Sequence, residues 1–279
     1  MDVLYVLYDY TASQQPFSLL FSVPRRFSRV LLDQVRLDHY TTGMEALYEG
    51  KAKRLWATED PQVLRMEFKN DATAFNGEKK AQFENKGRLN NTISTLIYGQ
   101  LERAGIPTHF VKQIDDTNVL VKKVEIVMIE VIIRNVSAGS YCKRTGQPEG
   151  QTFSQPIIEF SLKSDELGDP LVNDDYIREL KLASTEDLAW LRASALKVND
   201  FLCALFAKVG LRLIDFKLEF GRLASDPSTI VLADEISPDG CRLWDIATGE
   251  KMDKDRFRRD LGGVMEAYEE VLKRLQELS

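Results

Sequence analysis

Within residues 211–221, Leu-Arg-Leu-Ile-Asp-Phe-Lys-Leu-Glu-Phe-Gly, apolar and polar side chains alternate regularly from Ile214 to Phe220. A period of two is typical of a β-strand with one buried face and one polar face. The polar face carries Asp215, Lys217 and Glu219 in a row, with successive side chains roughly 6.6 Å apart. Two carboxylates that flank an ammonium group suit a site for a divalent cation and a phosphate. An ordinary half-buried strand explains the same pattern, so this stretch alone leaves both interpretations open.

Charge and cysteine content exclude several classes of protein. The chain of 279 residues has a net charge of −6 and a pI near 5.2, which argues against a general nucleic-acid binder. The three cysteines, Cys142, Cys203 and Cys241, are too few and too widely spaced for a disulfide framework, which favours the reducing cytoplasm. With only His39 and His109, a histidine-based zinc site is not expected. No apolar run reaches the ~18 residues of a membrane span, so no membrane partner is expected.

Residues 1–43 differ from the rest of the chain. Their apolar segment is short, and Arg25 and Arg26 follow it, whereas a secretory signal carries its positive charge first. Serine, arginine and phenylalanine content leaves an organelle transit peptide open, although Asp2 and Asp9 count against it. We favour a start site placed too early, with Met44 as the natural first residue, and we expect 1–43 to be poorly packed and functionally silent.

The remaining pattern predicts an α+β protein with two lobes. Residues 44–125 are β-rich, and residues 126–279 form a larger mixed lobe. Helical periodicity predicts helices over residues 78–103, 186–209 and 254–278, the second of which begins with a capping box. Strand patterns cover residues 47–56, 63–68, 108–114, 118–124, 125–133 and 230–233, whereas residues 148–175 are predicted to be rich in loops.

Two further segments carry cationic residues next to small ones. Gly50, Lys51, Ala52 and Lys53 form a turn that can present N–H groups and ammonium charge to a polyphosphate, although most Gly-Lys turns are solvated hairpins. The segment from Arg134 to Ser140 places an arginine at a strand end before a turn of small residues, as an anion site requires. A plain exit from a strand into a loop explains it equally well.

Asp234 directly follows a short apolar strand. Together with Glu219 it could hold a magnesium ion from two directions, because magnesium takes one or two carboxylates plus nucleotide phosphates. Asp234 alone would more often cap a turn.

In these motifs the chain resembles the SAICAR synthetase family of purine biosynthesis, from about Met44 to the C-terminus. Two stretches are similar to family signatures: Glu130 through Arg134 to Ala138-Gly139-Ser140, and Leu213-Ile214-Asp215-Phe216-Lys217-Leu218-Glu219-Phe220-Gly221. Supporting matches are Leu47-Tyr48-Glu49-Gly50-Lys51-Ala52-Lys53, Asp234-Glu235-Ile236-Ser237-Pro238-Asp239-Gly240 and Met252-Asp253-Lys254-Asp255-Arg256-Phe257-Arg258.

The resemblance implies an ATP-dependent ligase that joins an aminoimidazole carboxylate ribotide to L-aspartate, with Mg²⁺ as cofactor and a cleft for ATP between the lobes. It implies Gly50, Lys51, Ala52, Lys53 and Lys122 as nucleotide-binding residues, Glu219 and Asp234 as metal ligands, and Arg134, Ser140 and Arg242 as ribotide-binding residues. It further implies that Lys217 stabilises the transferring phosphoryl group and that Asp215 and Asp239 orient the imidazole or the aspartate amine. A homodimer is the expectation for the family.

Two rival functions remain open at the level of sequence. A phosphotransferase would use the same metal strand to phosphorylate a hydroxyl and would not need aspartate. A nucleotide sensor would bind ATP without turnover, and it would have no use for a second anion site at Arg134, Ser140 and Arg242.

Overall fold

Two large antiparallel sheets and a separate two-stranded hairpin contain the strands of this computed structural model, which describes residues 45–75 and 77–278. These residues lie in one compact unit, Gly43–Ser279. The expectation about residues 1–43 concerns residues outside the described part of the chain.

The described elements, in chain order, are β1 (Tyr48–Glu49), β2 (Lys53–Ala57), β3 (Val63–Phe68), β4 (Asp71–Ala74), β5 (Lys79–Gln82), α1 (Lys86–Arg103), β6 (Phe110–Gln113), β7 (Asn118–Lys122), β8 (Val124–Ile126), β9 (Ile129–Val136), α2 (Gly139–Thr145), β10 (Thr152–Leu162), β11 (Leu171–Val172), α3 (Asp174–Glu179), α4 (Thr185–Lys208), β12 (Leu211–Leu223), β13 (Asp226–Ala233), β14 (Cys241–Asp245), α5 (Asp255–Arg258) and α6 (Val264–Gln276).

The first sheet has the order β1-β2-β3-β7-β6. The second has the order β11-β10-β9-β12-β13, and β8 and β14 also pair with β12. Strand β12 therefore pairs with four others, because its 13 residues are long enough to meet different partners at its two ends. The predicted alternation is confirmed, since Phe216, Leu218 and Phe220 are buried in the main core.

Register sets the position of the polar face of β12. Asp215 lies opposite Arg134 on β9 and opposite Arg242 on β14. Glu219 lies opposite Ala233, the residue before Asp234. The sheet thus brings together residues that are far apart in sequence.

The two long helices cover the sheets. α1 packs against α6, and α4 packs against β12 and β9. α4 begins with the predicted capping box, in which Ser184 Oγ accepts a hydrogen bond from the Asp187 N–H and the Asp187 carboxylate accepts one from the Ser184 N–H. No helix in the described residues is long and apolar enough to cross a membrane.

Two predicted helices are wrong in extent. Helix 78–103 begins only at Lys86, because residues 79–82 pair with β4 as a separate hairpin. Helix 254–278 is divided into α5 and α6, because Asp260, Gly262 and Gly263 all have positive φ angles and interrupt the helical path.

The predicted loop over residues 148–175 is also wrong in part. It contains β10, an 11-residue strand that pairs with β9 and β11. Pro156 breaks the strand pattern in the sequence, and the structure accommodates it where the pairing with β9 shifts register, between Thr152 and Ile157.

Gly87 in the first turn of α1 allows the helix to approach β3, because a Cβ at this position would overlap the carbonyl oxygen of Phe68. We expect Gly87→Ala to lower the free energy of unfolding by about 2 kcal/mol, since backbone cannot move aside as a side chain does. Gly99→Ala is the matched control in the same helix, where the nearest atom would be Arg103 Nη1 at 3.8 Å. It should leave stability unchanged or raise it by up to about 1 kcal/mol. Urea denaturation followed by circular dichroism measures both, and equal stabilities would contradict the close approach.

Candidate active site

Lysines and acids form a cluster where β9 and β12 lie side by side. Lys217 Nζ lies 2.5 Å from Glu130 Oε1 and 3.2 Å from Glu219 Oε1. Lys163, in the loop after β10, places its Nζ 2.8 Å from the same oxygen of Glu219. Glu130 and Glu219 are buried, whereas the two ammonium groups are partly exposed. The lysines therefore form the accessible surface of this cluster.

Asp234 extends the cluster from the end of β13. Its backbone has φ +63°, a left-handed conformation that is uncommon for residues other than glycine and often occurs at functional sites. Its carboxylate pairs with Lys53 Nζ, which also lies 2.9 Å from Glu235 Oε1. The Gly-Lys turn of the first sheet thereby meets the acids of the second.

Lysines also set the ionisation of this cluster. Burial raises the pKa of Asp234, but attraction to Lys53 and Lys217 outweighs it and lowers the pKa to about 2. Burial lowers the pKa of Lys217, yet Glu219, Glu130 and Asp234 raise it overall. Near neutral pH, Asp234 is therefore an anion and Lys217 a cation.

An arginine pair lies toward the other end of the same face of β12. The Asp215 carboxylate accepts hydrogen bonds from Arg134 Nη1 at 2.8 Å and from Arg242 Nη1 at 2.9 Å. Arg134 also donates to Glu159, and Arg242 donates to Asp255 at 2.9 Å. Both guanidinium groups are fixed by acids on two sides, which gives the site a defined shape.

Helix α2 packs directly on this arginine pair. Ser140 Oγ accepts a hydrogen bond from Arg134 Nη2 at 3.0 Å. Gly139 has φ +53°, and a Cβ there would overlap the guanidinium of Arg242. The small residues of the segment 134–140 thus allow the helix to contact both arginines.

Asp239 is enclosed by donors of the protein itself. One oxygen accepts from the Tyr268 hydroxyl at 2.6 Å, and the other lies 2.6 Å from Lys86 Nζ and 3.4 Å from Lys254 Nζ. Burial raises the pKa of Asp239, but Lys86 and Lys254 lower it strongly overall. Asp239 thus joins α1 and α6 to the turn after β13.

The structure brings only some of the predicted nucleotide-binding residues close to the acidic cluster. The Gly50 N–H donates to the Lys53 carbonyl and closes the turn, and Lys53 points toward the acids. Lys51 Nζ lies 2.7 Å from Asp165, next to Lys163 in the loop after β10. Lys122 instead donates to the Thr108 carbonyl at 2.8 Å.

His109 lies buried nearby, and its imidazole nitrogens have no hydrogen-bond partner among the described residues. Burial lowers its pKa to about 3, so the ring is neutral near neutral pH. Asp234, Lys53 and Lys122 are the charged groups that act on its ring.

Sequence reasoning missed several residues of this region: Lys86, Lys163, Glu159, Asp255 and the role of Glu130 as a partner of Lys217. Lys86 left no signal in the sequence, because the helix predicted over residues 78–103 placed it in a helix interior. In the structure it begins α1 and is fully buried next to Asp239. Lys163 lies in a segment without periodicity, where no pattern singles it out.

The side chains available as ligands suit magnesium better than a metal that must be coordinated entirely by protein side chains. In the described ranges, no three or more His, Cys, Asp or Glu side chains are grouped to hold a metal ion. Glu219 and Asp234 supply two carboxylates among the same lysines, since both interact with Lys163 and Lys217. Two carboxylates with phosphate oxygens are a usual magnesium environment, so the residues present fit this ion.

Known proteins are similar to this chain over most of its length. The family model for SAICAR synthetase matches residues 46–275. A phosphoribosylaminoimidazole-succinocarboxamide synthase of Akkermansia muciniphila is 64% identical over 233 residues, which cover 84% of this chain and 99% of the relative.

Solved structures agree with the sequence relatives. The synthase of the same name from Ehrlichia chaffeensis has a TM-score of 0.82 and 46% identity, over 83% of this chain and 98% of that one. A SAICAR synthetase solved in complex with ADP has a TM-score of 0.78 and 46% identity, over 82% of this chain and 96% of that one. The α+β fold is therefore that of these enzymes, and the chain belongs to the SAICAR synthetase family.

Proposed function

We propose that the chain joins 5-amino-1-(5-phosphoribosyl)imidazole-4-carboxylate to L-aspartate at the expense of ATP. The observation that carries this proposal is the pair of charged sites on one face of β12. Asp215 with its arginines and Glu219 with its lysines are four residues apart, which on a strand is about 13 Å. A ribotide whose phosphate lies at the arginines can extend along the strand and bring its ring carboxylate toward Lys217.

We assign the nucleotide to the first sheet, in a lobe of residues 44–125, and the ribotide and metal to a lobe of residues 126–279. Gly50, Lys51, Ala52 and Lys53 would cover the phosphates of ATP, with Lys122 and the backbone of residues 123–128 beside the adenine. In support, Lys53 reaches from the turn to Asp234, so phosphates at the turn would lie beside the metal carboxylates.

Magnesium would be held by Glu219 and Asp234, and it would neutralise phosphate charge and orient the nucleotide when bound. Asp234 keeps its negative charge well below neutral pH, because its pKa is near 2. Lys217 would stabilise charge on the transferring phosphoryl group. Its raised pKa keeps it protonated, so it would act as a fixed cation and not as a base.

The chemistry explains why two anion sites are needed. A carboxylate is a poor acyl electrophile, so the ring carboxylate first takes the γ-phosphoryl group of ATP and releases ADP. The aspartate amine then attacks the acyl carbon of this mixed anhydride. The C–O bond to phosphate breaks, the amine loses a proton, and the products are the succinocarboxamide and inorganic phosphate.

Arg134, Ser140 and Arg242 would bind the phosphate of the ribotide. Asp215 and Asp239 were expected to orient the imidazole or the aspartate amine. We propose that both do so through cations: Asp215 fixes the two guanidinium groups, and Asp239 fixes Lys86 and Lys254. That the chain works as a cytoplasmic homodimer stays a prediction.

Phosphate release separates this proposal from its rivals. With ATP, Mg²⁺ and the ribotide, we expect sustained phosphate release only when L-aspartate is present, because the mixed anhydride needs an amine acceptor. Equal ATP consumption with and without L-aspartate would favour a phosphotransferase. Nucleotide binding without turnover under all conditions would favour a sensor.

Glu219→Gln and Asp234→Asn test the metal ligands. Each should lower kcat at least about 100-fold, because charge neutralisation at the phosphoryl group is lost. Each should also shift half-maximal Mg²⁺ activation to higher concentration. Glu277→Gln, at the exposed residue that directly follows α6, is the control and should match the parent. Near-normal activity and Mg²⁺ dependence in both site variants would remove the metal assignment.

Arg242→Lys tests the ribotide site while keeping the charge. A lysine cannot contact Asp215 and Asp255 at once as the guanidinium does, so we expect the KM for the ribotide to rise about ten-fold or more. The KM for ATP should change less than about two-fold in initial-rate assays. Arg212→Lys is the control on the neighbouring strand β12, where the exposed arginine donates a hydrogen bond to Thr152. Equal increases for ATP and the ribotide in Arg242→Lys would refute a specific ribotide role.

A further inference from the structure

Phe75 is an exposed aromatic residue in an unusual backbone conformation. It directly follows β4, 48% of its surface is exposed, and its φ is +53°. Left-handed backbone is unfavourable for a bulky residue, and folds retain such strain mainly at functional positions. Nothing in the described core needs the ring, since Phe75 is not among the residues that pack there.

The hairpin that presents Phe75 rests on helix α5. Lys79 Nζ donates to the Phe257 carbonyl and to Asp260 Oδ1, both at 2.6 Å, and lies 4.8 Å from the centre of the Phe257 ring. Phe83, after β5, contacts the same ring edge to face at 5.6 Å. The position of Phe75 is therefore coupled to α5, the helix whose Asp255 holds Arg242 at 2.9 Å.

The ring itself lies beside helix α2. Lys143 Nζ is 5.6 Å from the centre of the Phe75 ring. Lys143 follows Ser140 by three residues on α2, so their side chains share one face of the helix. Ser140 contacts Arg134, as described above. The hairpin thus touches both short helices that hold the arginine pair, and Phe75 contacts the helix whose Ser140 binds Arg134 of the proposed ribotide phosphate site.

We propose that Phe75 stacks on the aminoimidazole ring of the ribotide and selects for a flat heterocycle at that position. The inference rests on the proposed function and names a specificity residue within it. An aromatic ring stacks on a planar base with little entropy loss, and Lys143, whose Nζ lies over the Phe75 ring, adds a cation beside it. The adenine of ATP is a poorer candidate partner, because its proposed contacts at Lys122 and residues 123–128 belong to other elements.

Phe75→Leu keeps a branched apolar side chain but removes the aromatic face. We expect the KM for the ribotide to rise about ten-fold, as loss of one base-aromatic stack implies. The KM values for ATP and L-aspartate should stay within about two-fold. Phe75→Tyr keeps the face and should restore the parent KM. Tyr176→Leu is the control, since Tyr176 is an aromatic residue on α3 with 60% exposure and no contact with the arginine pair.

Ribose 5-phosphate as a competitive inhibitor separates stacking from support of the arginines. It has the phosphate and the sugar but no heterocycle, so its inhibition constant should be the same in Phe75→Leu and in the parent. An equal increase for ribose 5-phosphate and for the ribotide would overturn the stacking role. An unchanged ribotide KM in Phe75→Leu would overturn it as well, whereas a parent enzyme without ribotide-dependent phosphate release would overturn the proposed function itself.

Discussion

The carboxylate of Asp215, shared by Arg134 and Arg242, is the contact on which the rest of the site depends. It sits where β9, β12 and β14 meet, so it holds only if all three strands keep their register. Two guanidinium groups this close would repel each other without an acid between them. Glu159 also pairs with Arg134, and Asp255 also pairs with Arg242. A chain with a net negative charge thus keeps two cationic groups together at one site, because carboxylates surround them.

Lysines and acids are also paired at the other end of β12. Lys217 and Lys163 are both bound to Glu219, and Lys53 is bound to Asp234 and Glu235. These ion pairs are partly buried, where removal of one partner leaves an uncompensated charge. Under the proposed function, a polyphosphate with its metal would bring both signs of charge, so it would exchange partners with the lysines and acids without leaving either sign unpaired.

Much of this arrangement was visible in the sequence because strand β12 alternates apolar and polar residues from Ile214 to Phe220. The alternation placed Asp215, Lys217 and Glu219 on one face, and the structure agrees. The capping box at Ser184 and the end of β13 before Asp234 were equally readable, since each depends on a few adjacent residues. The pattern could not predict which residue pairs with each charged side chain, because pairing across a sheet depends on register.

The errors in the predicted helices also arise because tertiary contacts, which a local pattern does not show, decide the structure. Residues 79–82 continue the helical periodicity of α1, yet they form β5, because hydrogen bonds to β4 and the contacts of Lys79 with α5 outweigh local preference. The break before α6 depends on backbone angles at Asp260, Gly262 and Gly263, of which the paired glycines were the only hint. Lys163 and Phe75 lie in segments whose roles come entirely from the tertiary contacts around them.

The ion pair between Lys53 and Asp234 joins residues 181 positions apart in sequence. Contacts of such long range form late in folding, because a large loop must close before they contribute. On the ribosome, the Gly-Lys turn emerges long before the acid that faces it. This contact therefore forms only after residue 234 has been synthesised, and a nascent chain that stops short of Asp234 cannot complete the cluster of lysines and acids.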